Sequence, residues 1–312
     1  MAEVLVSAGL DEGLVWHHGD PMREQRTMEA GGGSVRLSNR PVLTVSGPER
    51  LSWLHSLTSQ HLSELEPGQA TTALVLSPNG HVEHVLHGVD DGDTFWAWTE
   101  PGRGDELFAW LERMVFMTRV ELAQRLDVEL VWVGRNVPLV EGAHVSRPSE
   151  IADGREVFAP RGLPVDAEPV GVWAHEALRI AAGVPRIGVD TDHRTIPNEL
   201  GLLGTHLDKG CYRGQETVAR VHTLGRPPRR LVQLHLDGSM DALPEPGQAL
   251  VHGEREVGFV GSSQRHHELG PIALGLVKRN VPTDADLRIG EISAAQEPLV
   301  DPEVGLHVRP KL

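Results

Sequence analysis

The stretch KGCYRGQETVAR (209–220) carries the chain's only cysteine. Cys211 stands between Lys209 and Arg213, with Gly210 and Gly214 alongside. The thiolate, not the thiol, is the nucleophile, and neighbouring cations favour it. A helix beginning near Gly214-Gln215-Glu216 would add the positive end of its dipole. The plainer alternative is a small, buried, inert hydrophobe. Spacing alone leaves both readings open. One cysteine cannot close an intrachain disulfide, and by itself it cannot hold a zinc ion or an iron–sulfur cluster.

His81, His84 and His87, with Glu83, form the other group that could do chemistry. On a strand, side chains alternate, so His81, Glu83 and His87 share one face and His84 takes the other. Three ligands along one flat face seldom converge on a single ion, and no H-E-x-x-H or C-x-x-C element accompanies them. No metal is expected here. The chain also lacks G-x-G-x-x-G, a P-loop and G-x-S-x-G, so nucleotide binding and serine hydrolysis have no motif behind them.

These residues need a frame. VRLSNRPVLTV (35–45) reads as one strand or two short ones. SGPERLSWLHSLTSQHL opens with Ser46 and Glu49 spaced as a capping box, and Leu51, Leu54, Leu57, Leu62 and Leu65 follow as an approximate helical stripe. TTALVLS (71–77) and HVEHVLHGV (81–89) read as strands joined at Asn79-Gly80, a hairpin-turn signal. TFWAWT (94–99), a helix over about 103–117 and VELVWV (128–133) complete the order β-α-β-β-(β)-α-β. That is the order of a ferredoxin-like layer with one added strand. A Pro/Gly-rich connection with a short strand or two follows, then a helix within 171–185. GRPPRR (225–230) marks a domain boundary. The short strands beyond it suggest a small barrel or sandwich. All seven tryptophans lie at or before Trp173, so that tail must have an aliphatic core.

The 312 residues are 39% hydrophobic and carry a net charge of −15. So negative a surface repels a phosphate backbone, and no direct nucleic-acid partner is expected. No apolar run approaches a membrane span, and the N-terminus lacks a basic leader, so a cytoplasmic protein without membrane attachment is expected.

KGCYRGQE resembles the signature K-G-C-Y-x-G-Q-E of the YgfZ family of folate-binding proteins, with Lys209, Gly210, Cys211, Tyr212, Gly214, Gln215 and Glu216 at its fixed positions. The likeness extends to SGPERLSWLHSLTSQ (46–60), to LRIAAGVPRIGVDTDHRTIPNEL (178–200), and to GFVGSSQ (258–264) with IALGLVKR (272–279). That family is similar in fold to the glycine cleavage T-protein, an aminomethyltransferase. The resemblance implies an α+β chain: a T-protein-like folate-binding domain of two ferredoxin-like α/β layers over 1–224, and a small C-terminal β-barrel domain over 225–312. It implies tetrahydrofolate or a one-carbon derivative as cofactor, and iron–sulfur proteins or their assembly factors as partners. Tyr212, Gln215 and Glu216 then join Cys211 and Lys209 in the reactive set. Glu199, at the P-x-E position, is implied to recognise the pterin, with Arg229 or Arg230 as a further folate contact.

In the related aminomethyltransferases a catalytic aspartate stands in the strand matching NGHVEHVL. This chain has Glu83 and His84 there, and no aspartate before Asp90. A base displaced by one methylene suits oriented proton transfer poorly. The leading expectation is therefore a folate-dependent accessory factor for iron–sulfur proteins, touching tRNA modification only indirectly. A one-carbon transferase using Glu83 as base or folate-side carboxylate, and a non-enzymatic folate-sensing module, remain the alternatives.

Overall fold

The computed structural model describes residues 3–307, which divide into two compact, interleaved units. The first takes the chain up to Val75, then His84–His175 and Gly204–Tyr212; the second takes Leu76–Glu83, Glu176–Leu203 and the chain from Arg213 onward.

A five-stranded sheet in the spatial order Ala70–Leu76, Val82–Asp90, Thr94–Trp98, Val42–Ser46, Glu121–Gln124 forms one layer. Val42 lies opposite Trp98 and Ser46 opposite Thr94, so alternate side chains of these strands fall on one face. Leu43, Val45, Leu86 and Phe95 pack with Trp53 and Leu54 of helix Arg50–Leu57 and with Leu107 and Leu111 of helix Gly104–Met114. The i, i+4 spacing of the last pair places both on one helix face. The Ser46/Glu49 capping box does not form. Ser46 ends its strand, and the Glu49 carboxylate accepts instead from the Arg119 backbone N–H (2.7 Å) and Nε (3.2 Å). The helix also stops at Leu57, and Leu62 reaches the core from the loop that follows.

A second, four-stranded sheet runs Val145–Pro148, Arg155–Pro160, Val128–Val133, Ser34–Leu37, antiparallel throughout. VELVWV therefore belongs to this sheet and does not close the first. The first sheet is closed by Glu121–Gln124, a short strand whose polar ends gave no periodic signal, whereas VELVWV is buried along its whole length. Of the two readings left open for 35–45, the structure has two short strands, one in each sheet.

In the second unit, six strands close into a barrel in the order Arg229–Leu236, Gly270–Lys278, Arg255–His266, Ala249–His252, Leu287–Ile289, Ile292–Pro298, the last pairing back to the first. Closure leaves no free sheet edge. Its core of Val232, Leu234, Leu250, Val260, Val277, Leu287 and neighbours is wholly aliphatic, as expected from the tryptophan distribution. Among the described residues no helix is long and apolar enough to cross a membrane.

One buried network ties the blocks at 178–200 and 258–264 together. Asp190 accepts from the Ser262 backbone N–H (2.6 Å) and hydroxyl (2.5 Å), from the Arg186 N–H (2.7 Å) and from Arg179 Nη1 (3.2 Å). Arg179 also donates to the Val184 carbonyl and the Ser262 hydroxyl. The network sits where the barrel register shifts between Val260 and Ser263. A Cβ at Gly261 would lie 2.1 Å from the Asp190 carboxylate, so only glycine passes there.

Candidate functional site

Predicted residues come together at two places, one within the second unit and one along the cysteine motif. In the second unit, the 3₁₀ turn Pro197–Leu200 follows Ile196 and ends in left-handed Gly201, presenting Glu199 beside the first barrel strand. Glu199 is 1% exposed and its carboxylate is gripped from two sides. Arg229 donates through Nε to Oε1 (2.8 Å) and through Nη2 to Oε2 (2.9 Å), and the Ile196 N–H adds a third bond (3.2 Å). The same guanidinium makes a second fork to Asp192, Nη1 to Oδ2 (2.7 Å) and Nη2 to Oδ1 (2.9 Å). Burial alone would lower the Arg229 pKa, but the bonds and charges of Glu199 and Asp192 outweigh it and raise it. Burial likewise pushes Asp192 up, and Arg229 and Thr195 together hold it well below the usual carboxylate range. Sequence reasoning missed Asp192 and Thr195; their only signal is the D-x-x-T spacing of a local turn, with Thr195 Oγ1 donating to Asp192 (2.9 Å).

Arg230, offered alongside Arg229, is corrected. Its side chain is fully buried in the barrel, donating to the carbonyls of Lys278, Arg279 and Val281 and to Gln296. Successive strand residues face opposite ways, so only one of this pair can meet Glu199.

The cysteine motif divides at the unit boundary, with Lys209–Tyr212 in the first unit and Arg213 onward in the second. Cys211 is exposed. Lys209 is 7% exposed and serves a different end from the one its position beside the thiol suggested. Its ammonium donates to the carbonyls of His55 and Thr58 (the latter 2.6 Å), at the carboxyl end of helix Arg50–Leu57, and lies 5.0 Å from the centre of the Tyr212 ring. A cation there satisfies carbonyls the helix leaves unpaired and complements its dipole. Burial lowers the Lys209 pKa to about 8 and raises that of Tyr212.

Past the boundary, Arg213 pairs with Glu83 (3.2 Å), both about one-third exposed. The expected helix runs Gln215–Leu224, with Glu216 in its first turn. Gly214 caps it at φ 80°, and a Cβ there would meet the Ser77 carbonyl at 2.5 Å and the Gly80 Cα at 2.7 Å. The Asn79-Gly80 turn and the motif's second glycine thus pack backbone against backbone. Gly210, by contrast, has open space around it.

Along Val82–Asp90 the two buried histidines have separate fates. His87 stacks on Trp98 (4.1 Å between ring centres), and its Nδ1 lies 3.2 Å from the Thr72 hydroxyl; His84 is buried with no partner for Nδ1. Burial lowers both, His87 the more. Asp90 is 1% exposed and doubly bonded by Arg50 (both 2.7 Å).

Residues 229–297 match the family model of the glycine cleavage T-protein C-terminal barrel domain. The crystal structure of glycine cleavage system aminomethyltransferase T from Bartonella henselae superposes with a TM-score of 0.77, covering 92% of this chain and 91% of that one at 19% identity. Barrel and layers together define a T-protein-like fold. Relatives by sequence include the tRNA-modifying protein YgfZ of Cronobacter sakazakii (strain ATCC BAA-894), 25% identical over 303 residues, with 86% of this chain and 91% of the relative covered. An aminomethyltransferase of Chlorobium chlorochromatii (strain CaD3) is 23% identical over 284 residues, covering 77% and 76%. The chain therefore has a T-protein-like fold and is similar in sequence, at low identity, to both YgfZ and aminomethyltransferase relatives.

Proposed function

We propose that the chain binds a reduced folate and serves as an accessory factor for iron–sulfur proteins, presenting Cys211 to a protein partner. The observation that carries this reading is the division of labour inside KGCYRGQE. Lys209 anchors its end within the first unit through buried contacts and Gly214 packs on the 77–80 turn within the second, while the thiol between them is left exposed. A buried anchor two residues from the thiol limits the freedom of the segment that carries it, which lowers the entropic cost of reaction.

The residues fit a folate by type. A carboxylate can accept from the N–H edge of an aminopyrimidine, and a guanidinium can donate to a carbonyl or an acid. Here Glu199 and Arg229 satisfy each other, which spares a buried carboxylate from standing unpaired. Arg229 retains its fork to Asp192 when Glu199 turns to another donor. Bound tetrahydrofolate, or a one-carbon derivative, supplies a reduced pterin and a one-carbon unit. The chain's own part is to orient the pterin through Glu199 and to keep Cys211 accessible. The name of the Cronobacter relative carries tRNA modification, and with a net charge of −15 we assign any such role here to iron–sulfur enzymes acting downstream.

The one-carbon transferase reading requires Glu83 to act as base while Arg213 Nη1 donates to its Oε2, which occupies one of its two oxygens. Two experiments separate the readings. Tetrahydrofolate is titrated against tryptophan fluorescence and thermal stability; Glu199→Gln weakens the response about tenfold and Cys211→Ala leaves it unchanged. In a strain lacking the protein, Cys211→Ala fails to restore iron–sulfur enzyme activity. Full rescue by that variant removes the thiol from the mechanism, and methylene-tetrahydrofolate formation that depends on Glu83 selects the transferase.

A further inference from the structure

The first unit contains a pocket that the folate reading does not use. Its walls are the turn Ser38–Pro41, the strand start at Val42 and Leu43, the beginning of helix Gly104–Met114, the loop from Gln124 to Val128, and Arg161. The volume is about 230 Å³. That falls below the ~300–1,000 Å³ of pockets taking drug-sized ligands and suits a small molecule.

Three guanidinium groups and one carboxylate, Asp105, line it. Their partners decide its charge. Arg40 is 5% exposed and paired with Asp11 at 2.9 Å. Arg125 forks onto Asp127 (2.9 and 2.7 Å) and lies over the Trp96 ring, 4.8 Å from its centre. Among the described residues Arg161 pairs with no carboxylate: its guanidinium donates to the carbonyls of Leu126 (3.3 Å), Ser38 (3.4 Å) and Val128 (3.5 Å). Bonds to neutral carbonyls leave the Arg161 charge uncompensated, and Nη1 takes part in none of the three. In a chain of net charge −15, such a cation is out of keeping with its surroundings. Asp105 turns aside to accept from Gln124 (3.2 Å). Val42, Leu43, Phe108 and Val128 give the pocket an apolar floor.

We propose that this pocket binds a small monoanionic carboxylate with an apolar body, the carboxylate on the Arg161 fork and the body on Phe108 and Leu43. A planar guanidinium matches a carboxylate by two parallel bonds. A single uncompensated charge suits a monoanion better than a phosphate dianion, and the apolar floor distinguishes an aryl or branched-alkyl acid from a bare inorganic ion.

The probe is benzoate, followed by saturation-transfer and chemical-shift NMR on the full chain, with benzamide and inorganic phosphate as controls. Benzoate binds in the millimolar range, benzamide about tenfold more weakly, and phosphate more weakly than benzoate. Arg161→Gln lowers benzoate affinity about tenfold. Leu126, 80% exposed on the pocket rim, provides a second variant that cannot disturb the core: Leu126→Asp sets a competing carboxylate beside Arg161 and suppresses binding. Failure of benzoate to bind, equal binding to the wild type and Arg161→Gln, or phosphate binding as tightly as benzoate overturns the proposal.

Discussion

Two glycines four residues apart in one motif are predicted to respond oppositely to the same substitution. At Gly214, alanine must hold φ 80°, which costs a side-chain-bearing residue about 1–2 kcal/mol. Its Cβ must also clear the Ser77 carbonyl, 2.5 Å away where ordinary contact begins near 3.4 Å, and the Gly80 Cα at 2.7 Å. The obstacle is backbone on both counts, so the turn at 77–80 has to shift by nearly an ångström, an overpacking cost of about 1–3 kcal/mol. Together the two terms give roughly 2–5 kcal/mol. At Gly210 no atom lies within 4 Å of the added methyl and φ is not in the left-handed region, so alanine is neutral or stabilises by up to about 1 kcal/mol through the unfolded chain. A chain of two units need not unfold in one step, so the local readout is amide hydrogen exchange along Gln215–Leu224, supported by far-ultraviolet circular dichroism in urea. Gly214→Ala speeds exchange there by at least tenfold and Gly210→Ala leaves it unchanged. Equal responses at the two positions would refute the close-packing account of the motif.

Other consequences are as direct. Because the Lys209 pKa falls from about 10.5 unfolded to about 8 folded, the unfolded chain binds more protons between those values. Stability therefore rises from pH 8 toward pH 10 in the wild type, and Lys209→Met removes that slope in urea titrations at fixed pH. Arg230→Met leaves tetrahydrofolate binding unchanged whereas Arg229→Met weakens it, a difference a single titration series resolves. Ser262→Ala leaves a buried Asp190 oxygen short of its hydroxyl donor and lowers barrel stability by about 1–3 kcal/mol in thermal or chemical unfolding. Gly261→Ala is worse, since the methyl meets the Asp190 carboxylate itself.

Elements with strong local signals were readable from sequence. VELVWV, TFWAWT, the Asn79-Gly80 turn and the helix after Gly214 all form where residue type and period placed them. Sheet membership was not readable, because VELVWV is apolar on both faces and its alternation does not name a partner. Glu121–Gln124 was invisible for the opposite reason, too short and polar to show a period. At the candidate site, the motif identified the residues but not their partners. Lys209 lies next to Cys211 in sequence, yet its four-carbon stem carries the charge to the carbonyls of residues 55 and 58. Arg229 and Arg230 are indistinguishable in GRPPRR, and only the strand's alternation sends one to Glu199 and the other into the barrel. The Arg179–Asp190–Ser262 network joins segments more than 70 residues apart, a relation no local pattern expresses.

The interleaving of the two units has a consequence during synthesis. The first unit lacks part of its chain until Tyr212 has been made, and the second recruits Leu76–Glu83 and Glu176–Leu203 before its barrel exists. Domains emerging in simple sequence order can fold one after another on the ribosome, at roughly 5–20 residues per second. This chain must instead hold early segments in reserve for partners translated much later. A break at residue 224 would leave the first unit's chain whole but divide the second, because the barrel's companions at 76–83, 176–203 and 213–224 would stay with the other fragment. Gly204–Tyr212 is the last piece the first unit receives, so the segment that carries Cys211 takes its folded place only once that unit's chain is complete.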